Sequence, residues 1–365
     1  MKTRWEIKKL GEMSEIEKKR NSHKDIPFIG LEDIESNTST FLGSKEPRKV
    51  KSSSFYFNQE HILYGRLRPY LNKVLLPDFE GHCSTEIFPI KTKPLLNKKF
   101  LFYWVTSDEI VQKINGTCTG TRMPRANMKE VMDFDIPCPP LLEQQNIVAI
   151  LDEVFAAIDK AKLNAEKNLE NSREVFASYL KFIFTKPGDE WAEKKLGEIL
   201  KLEYGKPLPD SQRKPNGAYP VYGANGEIVR TDEHYHDQKS IIVGRKGSAG
   251  EINLTEKIFW PLDVTYFVVI DDKHYDLYFV YYLLRNLDLT KLAKGVKPGI
   301  NRNEVYSINV RIPILPEQRF IVSKLDALSA ETKKLESIYV KKLADLAEMK
   351  KSILKKAFNG ELTEA

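Results

Sequence analysis

Apolar positions along the chain fall into two alternating regimes. The first is short: "SFYF" (Ser54 to Phe57), "ILYGRL" (Ile62 to Leu67), "SIIVG" (Ser240 to Gly244) and "VTYFVVI" (Val264 to Ile270). These runs are aromatic and β-branched and are flanked by Gly, Pro, Asn and Asp, which predicts strands. Helical patterns lie among them at "KFLFYWVTSDEIVQKI" (Lys99 to Ile114) and "LYFVYYLLRNL" (Leu277 to Leu287). The second regime is long. From Ile147 apolar residues step by four and three through Leu151, Val154, Ile158, Ala161 and Ala165, then Val175, Tyr179 and Phe182. From Ile321 the same steps pass Leu325, Leu328, Leu335, Tyr339, Leu346, Met349 and Ile353. Sustained alternation of this kind predicts a coiled-coil seam, with Asn168 and Lys342 as polar residues at equivalent seam positions. Neither run contains Pro or Gly, and "KPGDE" (Lys186 to Glu190) ends the first. About 40 residues at ~1.5 Å each make a rod of ~60 Å. The nearest surface able to bury its stripe is its own duplicate.

The duplication is written in the letters. "LLEQQNIVAILD" (Leu141 to Asp152) recurs as "LPEQRFIVSKLD" (Leu315 to Asp326), 174 positions on. At the same offset Asn127 pairs with Asn301, Glu130 with Glu304, Pro139 with Pro313, Leu180 with Leu354 and Phe184 with Phe358. "WEIKKLGE" from Trp5 and "WAEKKLGE" from Trp191 open the two halves at an offset of 186. Each half is therefore a variable α/β region followed by a long helix.

A length of 365 residues, 41% hydrophobic and 30% charged, leaves room for two or more cores. No apolar run approaches the ~18–20 residues that cross a bilayer, and "MKTRWEIKKLGE" has no apolar core of a secretory signal. Cys83, Cys118 and Cys138 are odd in number and widely spaced, which reads as reduced thiols in a cytoplasmic protein. A formal charge of +6 leans toward a polyanionic partner.

Catalytic patterns are missing. "GRKGSAG" (Gly244 to Gly250) has the wrong spacing for a phosphate loop and reads as a hairpin between strands. The chain has neither an aromatic-flanked glycine loop for S-adenosylmethionine nor an Asn/Asp-Pro-Pro-aromatic motif; Pro139-Pro140 follows Cys138. The histidines His234, His236 and His82 lack third and fourth ligands for zinc, and Asp210 near Lys214 makes no nuclease core.

Two variable regions, each followed by "EQ-x-x-IV-x-x-LD" with proline shortly before it and a long helix, resemble the DNA-specificity subunit of type I restriction-modification systems. "YPVYGANGEI" (Tyr219 to Ile228), "IIVGRKGSAGEI" (Ile241 to Ile252), "FWPLDVTYFVV" (Phe259 to Val269), "ILYGRLRPYLNKV" (Ile62 to Val74) and "STEIFPI" (Ser84 to Ile90) carry the likeness across nearly the whole chain. Departures are small: the second EQ motif has a single Pro before Glu317, and the first has Leu142 there. The resemblance implies an α/β (α+β) fold of two tandem target-recognition domains joined by two long helices in an antiparallel coiled coil with pseudo-twofold symmetry. The domains would span 1–142 and 186–316, the spacer helices 143–185 and 317–365.

It also implies a non-catalytic subunit that reads a bipartite, asymmetric double-stranded DNA site. That subunit would dock two copies of a methyltransferase subunit and an endonuclease/translocase subunit, directing adenine methylation and restriction in the cytoplasm. It needs no cofactor itself, since S-adenosylmethionine, ATP and Mg are expected on the partners. A DNA reader needs cations for phosphates and forked or amide side chains for base edges. The residues that fit are Arg66, Arg68 and Lys73, beside Tyr64 and Tyr70; Arg122 and Arg125 in "GTRMPRAN"; Tyr222 and Asn225, exposed in "VYGANG"; Arg245 and Lys246; and Lys297, Asn301 and Arg302 in "GVKPGINRN". Any one of these cations alone reads more readily as a solvated surface charge, whereas the set lies on Gly- and Pro-rich loops in both halves. Glu143, Gln144, Leu151 and Asp152, with their repeats Glu317, Gln318, Leu325 and Asp326, are the expected docking and spacing element. Lys333, Lys334, Lys350 and Lys351 read as the solvated face of the second helix. Two other readings fit less well: a stand-alone two-headed DNA-binding regulator or architectural protein, and an enzyme with an unfamiliar site.

Overall fold

The computed structural model describes residues 5–362 except 21–24, 49, 51 and 121. The outermost ends of the first expected domain and the second expected spacer helix lie outside the described residues. The chain forms two compact units, residues 1–165 with 341–365, and residues 166–340.

In the first unit the elements follow as β1 (Glu6–Lys9), α1 (Leu10–Met13), β2 (Ser14–Ile16), β3 (Phe28–Ile29), β4 (Ser54–Phe57), β5 (His61–Gly65), β6 (Val74–Leu75), β7 (Gly81–Ser84) and β8 (Ile87–Thr92). Then come α2 (Lys98–Thr106), α3 (Asp108–Gly116), α4 (Met128–Met132), β9 (Asp135–Cys138) and the 45-residue α5 (Leu141–Thr185), of which the stretch up to Ala165 belongs to the first unit and the rest to the second. The second unit repeats the plan with β10 (Ala192–Lys195), α6 (Leu196–Ile199), β11 (Leu200–Tyr204), β12 (Tyr219–Gly223), β13 (Gly226–Thr231), β14 (Ser240–Gly244), β15 (Ile252–Thr255), β16 (Trp260–Pro261) and β17 (Thr265–Ile270). It closes with α7 (Leu277–Leu287), α8 (Arg302–Tyr306), β18 (Asn309–Ile312) and the 44-residue α9 (Leu315–Phe358), whose stretch from Lys341 onward belongs to the first unit.

Each unit holds an antiparallel four-stranded sheet, ordered β2-β8-β5-β6 and β11-β17-β14-β15. Each also holds a three-stranded sheet with one parallel pairing and a two-stranded ladder, β1-β9 or β10-β18, that returns the chain to the foot of its long helix. The strand runs read from the sequence are thus β4, β5, β14 and β17. The expected helix at 99–114 is broken at Ser107, whose backbone is extended and whose hydroxyl donates to the Trp104 carbonyl at 2.7 Å. Cores lie between the four-stranded sheet and α2 or α7, with Phe100, Trp104, Phe279 and Leu284 fully enclosed.

Within both units α5 and α9 pack as an antiparallel, coiled-coil-like pair. In the first, Ile147, Leu151, Phe155 and Ile158 from the start of α5 share a core with Leu354, Ala357 and Phe358 from the end of α9. In the second, Phe176, Leu180 and Ile183 from the end of α5 share one with Ile321, Val322 and Leu325 from the start of α9. The seam differs from the expected one beyond Ala165. Val175, Tyr179 and Phe182 are 50%, 37% and 53% exposed, Leu335 and Met349 are exposed too, and Asn168 and Lys342 face solvent. The covered stripe of α5 runs instead from Ile147 through Ala165, Leu169, Ser172, Phe176 and Leu180 to Ile183. Ten steps over these 36 residues average 3.6, the period of a straight helix, whereas a strict seven-residue repeat imposes a left-handed supercoil. A heptad carried forward from Ile147 therefore drifts off the covered face.

Candidate nucleic-acid interface

The EQ–LD segment holds each variable region onto its helix. The Trp5 indole donates to Glu143 at 3.1 Å, and the Trp191 indole donates to Glu317 at 2.8 Å. Gln144 is fully buried; its carbonyl accepts the Asn97 amide at 2.8 Å and its amide donates to the Leu95 and Pro139 carbonyls at 3.0 and 2.8 Å. Gln318 repeats this with the Asp276 amide and the His274 and Pro313 carbonyls at 2.8, 3.2 and 2.9 Å. Leu151 and Leu325 are fully buried. Asp152 accepts the Tyr103 hydroxyl at 2.6 Å and Asp326 the Tyr282 hydroxyl at 2.5 Å. Burial, reinforced by these carboxylates, pushes both phenols well above their ordinary value. The buried members of this element work inside their own units, so a partner would meet other side chains.

Of the expected reading residues, Arg66 and Arg68 follow the end of β5, and Arg245 and Lys246 follow the end of β14. A Cβ on Gly244 would stand 2.0 Å from the Ser248 carbonyl oxygen, so the residue before Arg245 must be glycine, whereas one on Gly65 would stand 3.0 Å from the Lys73 carbonyl oxygen, a tight fit before Arg66. The backbone beyond is stitched to a second loop. The Arg66 carbonyl accepts the Ala126 amide at 2.9 Å, and Arg68 donates to the Pro124 carbonyl at 2.7 Å. In the second unit the Arg245 carbonyl accepts the Ile300 amide at 3.1 Å, and Gly247 donates to the Pro298 carbonyl at 2.9 Å. Arg66, Arg68, Arg122 and Arg125 are thereby gathered in one unit, and Arg245, Lys246, Lys297, Asn301 and Arg302 in the other.

Their environments differ. Glu86, in the turn between β7 and β8, accepts Arg66 Nε at 3.0 Å and Arg125 Nη2 at 2.8 Å. Burial alone would raise the Glu86 carboxyl, but hydrogen bonding from Arg125 and the charges of Arg66 and Arg125 outweigh it and hold the group below its ordinary value. Arg66 also lies 4.9 Å from the Phe88 ring centroid. Lys73 is turned inward, donating to the Leu31 carbonyl at 2.7 Å. Arg68 and Arg122 are exposed and carry no ion pair among the described residues. Arg68 occupies the left-handed region, φ 51°, where the second unit has Gly247.

In the second unit Lys246 and Lys297 are exposed. The guanidinium groups of Arg245 and Arg302 each lie 5.0 Å from the Tyr204 ring centroid. Asn301 caps α8 by accepting the Asn303 amide at 2.9 Å, as Asn127 caps α4. Asn225 is exposed in the two-residue loop joining β12 and β13. Tyr222 is half-buried rather than exposed, packed edge-on to Phe259 at 5.8 Å.

Sequence reasoning missed Glu86, Tyr204 and the indole and phenol partners of the EQ–LD element. The repeated tryptophans were a usable signal, while Glu86 and Tyr204 reach the arginines only through strand pairing. Among the described residues no helix is long and apolar enough to cross a membrane, and no three His, Cys, Asp or Glu side chains gather as a metal site.

Two units of one plan, each presenting a cation-bearing loop pair beside a helix clasp, define a tandem specificity-domain architecture. The model of the type I restriction modification DNA specificity domain matches residues 2–168 and 188–343, and the chain belongs to that family. It is 30% identical over 173 residues to the type I restriction enzyme EcoDI specificity subunit of Escherichia coli, covering 46% of this chain and 38% of that one. It is 22% identical over 398 residues to the EcoBI specificity subunit of the same organism, covering 94% and 81%. The chain spans 38% of the EcoDI subunit and 60% of the Mycoplasma pneumoniae putative specificity subunit S.MpnORF638P. The fold is shared with a chain solved in a study of complex assembly and conformational transition of the type I R-M system, at TM-score 0.85 and 21% identity over 99% of both chains. It is shared also with the HsdS subunit from Thermoanaerobacter tengcongensis, at TM-score 0.68 and 21% identity over 99% and 98%.

Proposed function

We propose that this chain is the specificity subunit of a type I restriction-modification complex. It reads a bipartite, asymmetric double-stranded DNA sequence and carries no catalytic site of its own. The observation that carries the reading is the family match in both halves, 2–168 and 188–343, on units that both end β5 or β14 in a glycine–arginine loop. The target-recognition domains are 1–142 and 186–316; 143–185 and 317–365 are spacer helices whose length sets the gap between half-sites. Because the loops differ between the units in charge and length, the two half-sites differ. DNA is met by Arg66, Arg68, Arg122 and Arg125 in one unit and by Tyr222, Asn225, Arg245, Lys246, Lys297, Asn301 and Arg302 in the other; Lys73 serves by shaping its loop.

Two methyltransferase subunits and an endonuclease/translocase subunit dock on the chain in the cytoplasm and bring S-adenosylmethionine, ATP and Mg. Apolar side chains exposed on the long helices of the second unit, Val175, Tyr179, Phe182, Leu335, Ile338 and Val340, suit such docking better than the buried EQ–LD residues. The test is co-purification with the host's type I methyltransferase subunit, together with mapping of methylated adenines in cells with and without this gene. A stoichiometric complex and a two-part motif that vanishes with the gene are expected. A pure chain that binds its site tightly and leaves methylation unchanged would make it a stand-alone regulator instead.

A further inference from the structure

Tyr204 ends β11 and is 43% exposed, although a ring of its size gains by burial. The next residue packs tightly on the Pro261–Leu262 backbone, since a Cβ on Gly205 would stand 2.1 Å from the Leu262 carbonyl oxygen. The ring lies 5.1 Å from that of Tyr266, on the neighbouring strand β17. Two guanidinium groups converge on it. Arg245 and Arg302 each stand 5.0 Å from its centroid, so their charges are at most 10 Å apart, and Arg245 is also 5.9 Å from the Tyr266 centroid. Arg245 Nη1 donates to the Asp263 carbonyl at 2.8 Å, which fixes the tilt of its plane.

Neither arginine has an ion pair among the described residues, whereas in the first unit Glu86 takes both Arg66 and Arg125. An acceptor ligand therefore meets no ion-paired carboxylate competing for either guanidinium among the described residues. Stacking on an aromatic face also pre-organises the planar fork for two parallel hydrogen bonds.

We infer that Tyr204 is a positioning residue that holds Arg245 and Arg302 as one paired guanidinium site, and that this site takes paired acceptor atoms of DNA. The inference rests on the proposed DNA-reading function and locates part of that reading in the second unit. Both the guanine O6/N7 edge and the phosphate oxygens present such a pair.

The test uses the full chain co-expressed with its host's type I methyltransferase subunit, with two probes: selection from a randomised duplex library, and titration of a fixed duplex between about 50 and 200 mM salt. Y204A should weaken binding about tenfold, while Y204F, which keeps the ring, stays within about threefold. If the acceptors belong to guanine, Y204A and the double variant R245K/R302K relax one position of the selected motif. If they belong to phosphate, the motif stays intact and Y204A lowers the salt slope by about 0.9 for each phosphate no longer neutralised. Either pattern supports the site. A Y204A protein that binds and selects like the wild type overturns the inference alone, as does a Y204F protein as impaired as Y204A. A wild-type complex without DNA binding overturns the inference and the proposed function together.

Discussion

Replacing Gln144 by leucine keeps the side-chain volume but removes an amide that satisfies three backbone groups: the Asn97 N–H and the Leu95 and Pro139 carbonyls. Each bond contributes about 1 kcal/mol net, and a buried partner left unmade costs about 1–3 kcal/mol. Leu95 is an exposed residue, so water can replace one bond, whereas Pro139 is buried. The expected loss is therefore about 3 kcal/mol in the first unit. For a unit of this size that lowers Tm by roughly 6–12 °C. Gln318→Leu should cost the second unit a similar amount, because its three partners repeat the geometry.

Gln144→Glu sharpens the test. Its carboxylate would face two carbonyl acceptors while buried, so its pKa in the folded state rises above the unfolded value of about 4.3. A group raised on folding loses stability as pH increases from the unfolded pKa through the folded one. The variant should approach the wild type near about pH 4 and be least stable at about pH 7. The assay is denaturant unfolding at both pH values, with hydrogen exchange at the Asn97 amide as the local readout and the Asp276 amide as internal control. Stability within about 0.5 kcal/mol of wild type, with Asn97 still protected, would refute the clasp.

Other perturbations bear on the loops and the helices. Glu86 is depressed on folding, so its contribution is present above its ordinary value of 4.5 and is lost as pH falls through the lower folded value; in unfolding-against-pH curves Glu86→Gln should lack that part of the acid limb, and parallel curves would count against the arginine clamp. Arg68→Gly should stabilise the fold by about 1 kcal/mol by relieving the left-handed backbone, yet lower the salt slope of DNA binding by about 0.9; weaker folding with unchanged binding would contradict both expectations. Paired insertions of about 11 residues in α5 and α9 preserve three turns and add about 16 Å. The methylated motif should keep its half-sites and gain about five base pairs of gap, and an unchanged gap would mean the helices are no spacer.

Much of this was legible because it is local or repeated. Strands β4, β14 and β17, helix α7 and both long helices follow from period and flanking residues alone. The repeat offsets of 186 and 174 were readable, but the structure adds a third, 179, that pairs Arg66 with Arg245, Asn97 with Asp276 and Tyr103 with Tyr282. Length changes fall in the loops between these anchors, and no continuous run of matching letters spans them. The second half of the α5 stripe was misread because about 3.5 and 3.6 residues per turn diverge only after several turns. Glu86 and Tyr204 carry no local signature. Glu86 meets Arg66 because Gly65 pairs with Ile87 across β5 and β8, and Tyr204 adjoins Tyr266 across β11 and β17. Strand register, fixed by cores far from either residue, decides which side chains meet.

Independent choice of one half of a DNA target by each variable region is the central claim. Its most direct test is to exchange Trp5–Leu142 for the matching region of a relative and to map methylated adenines across the genome at single-base resolution. The predicted result is a motif in which one half changes while the other half and the gap stay as they were. A motif that changes in both halves, or methylation indifferent to the exchange, would contradict it.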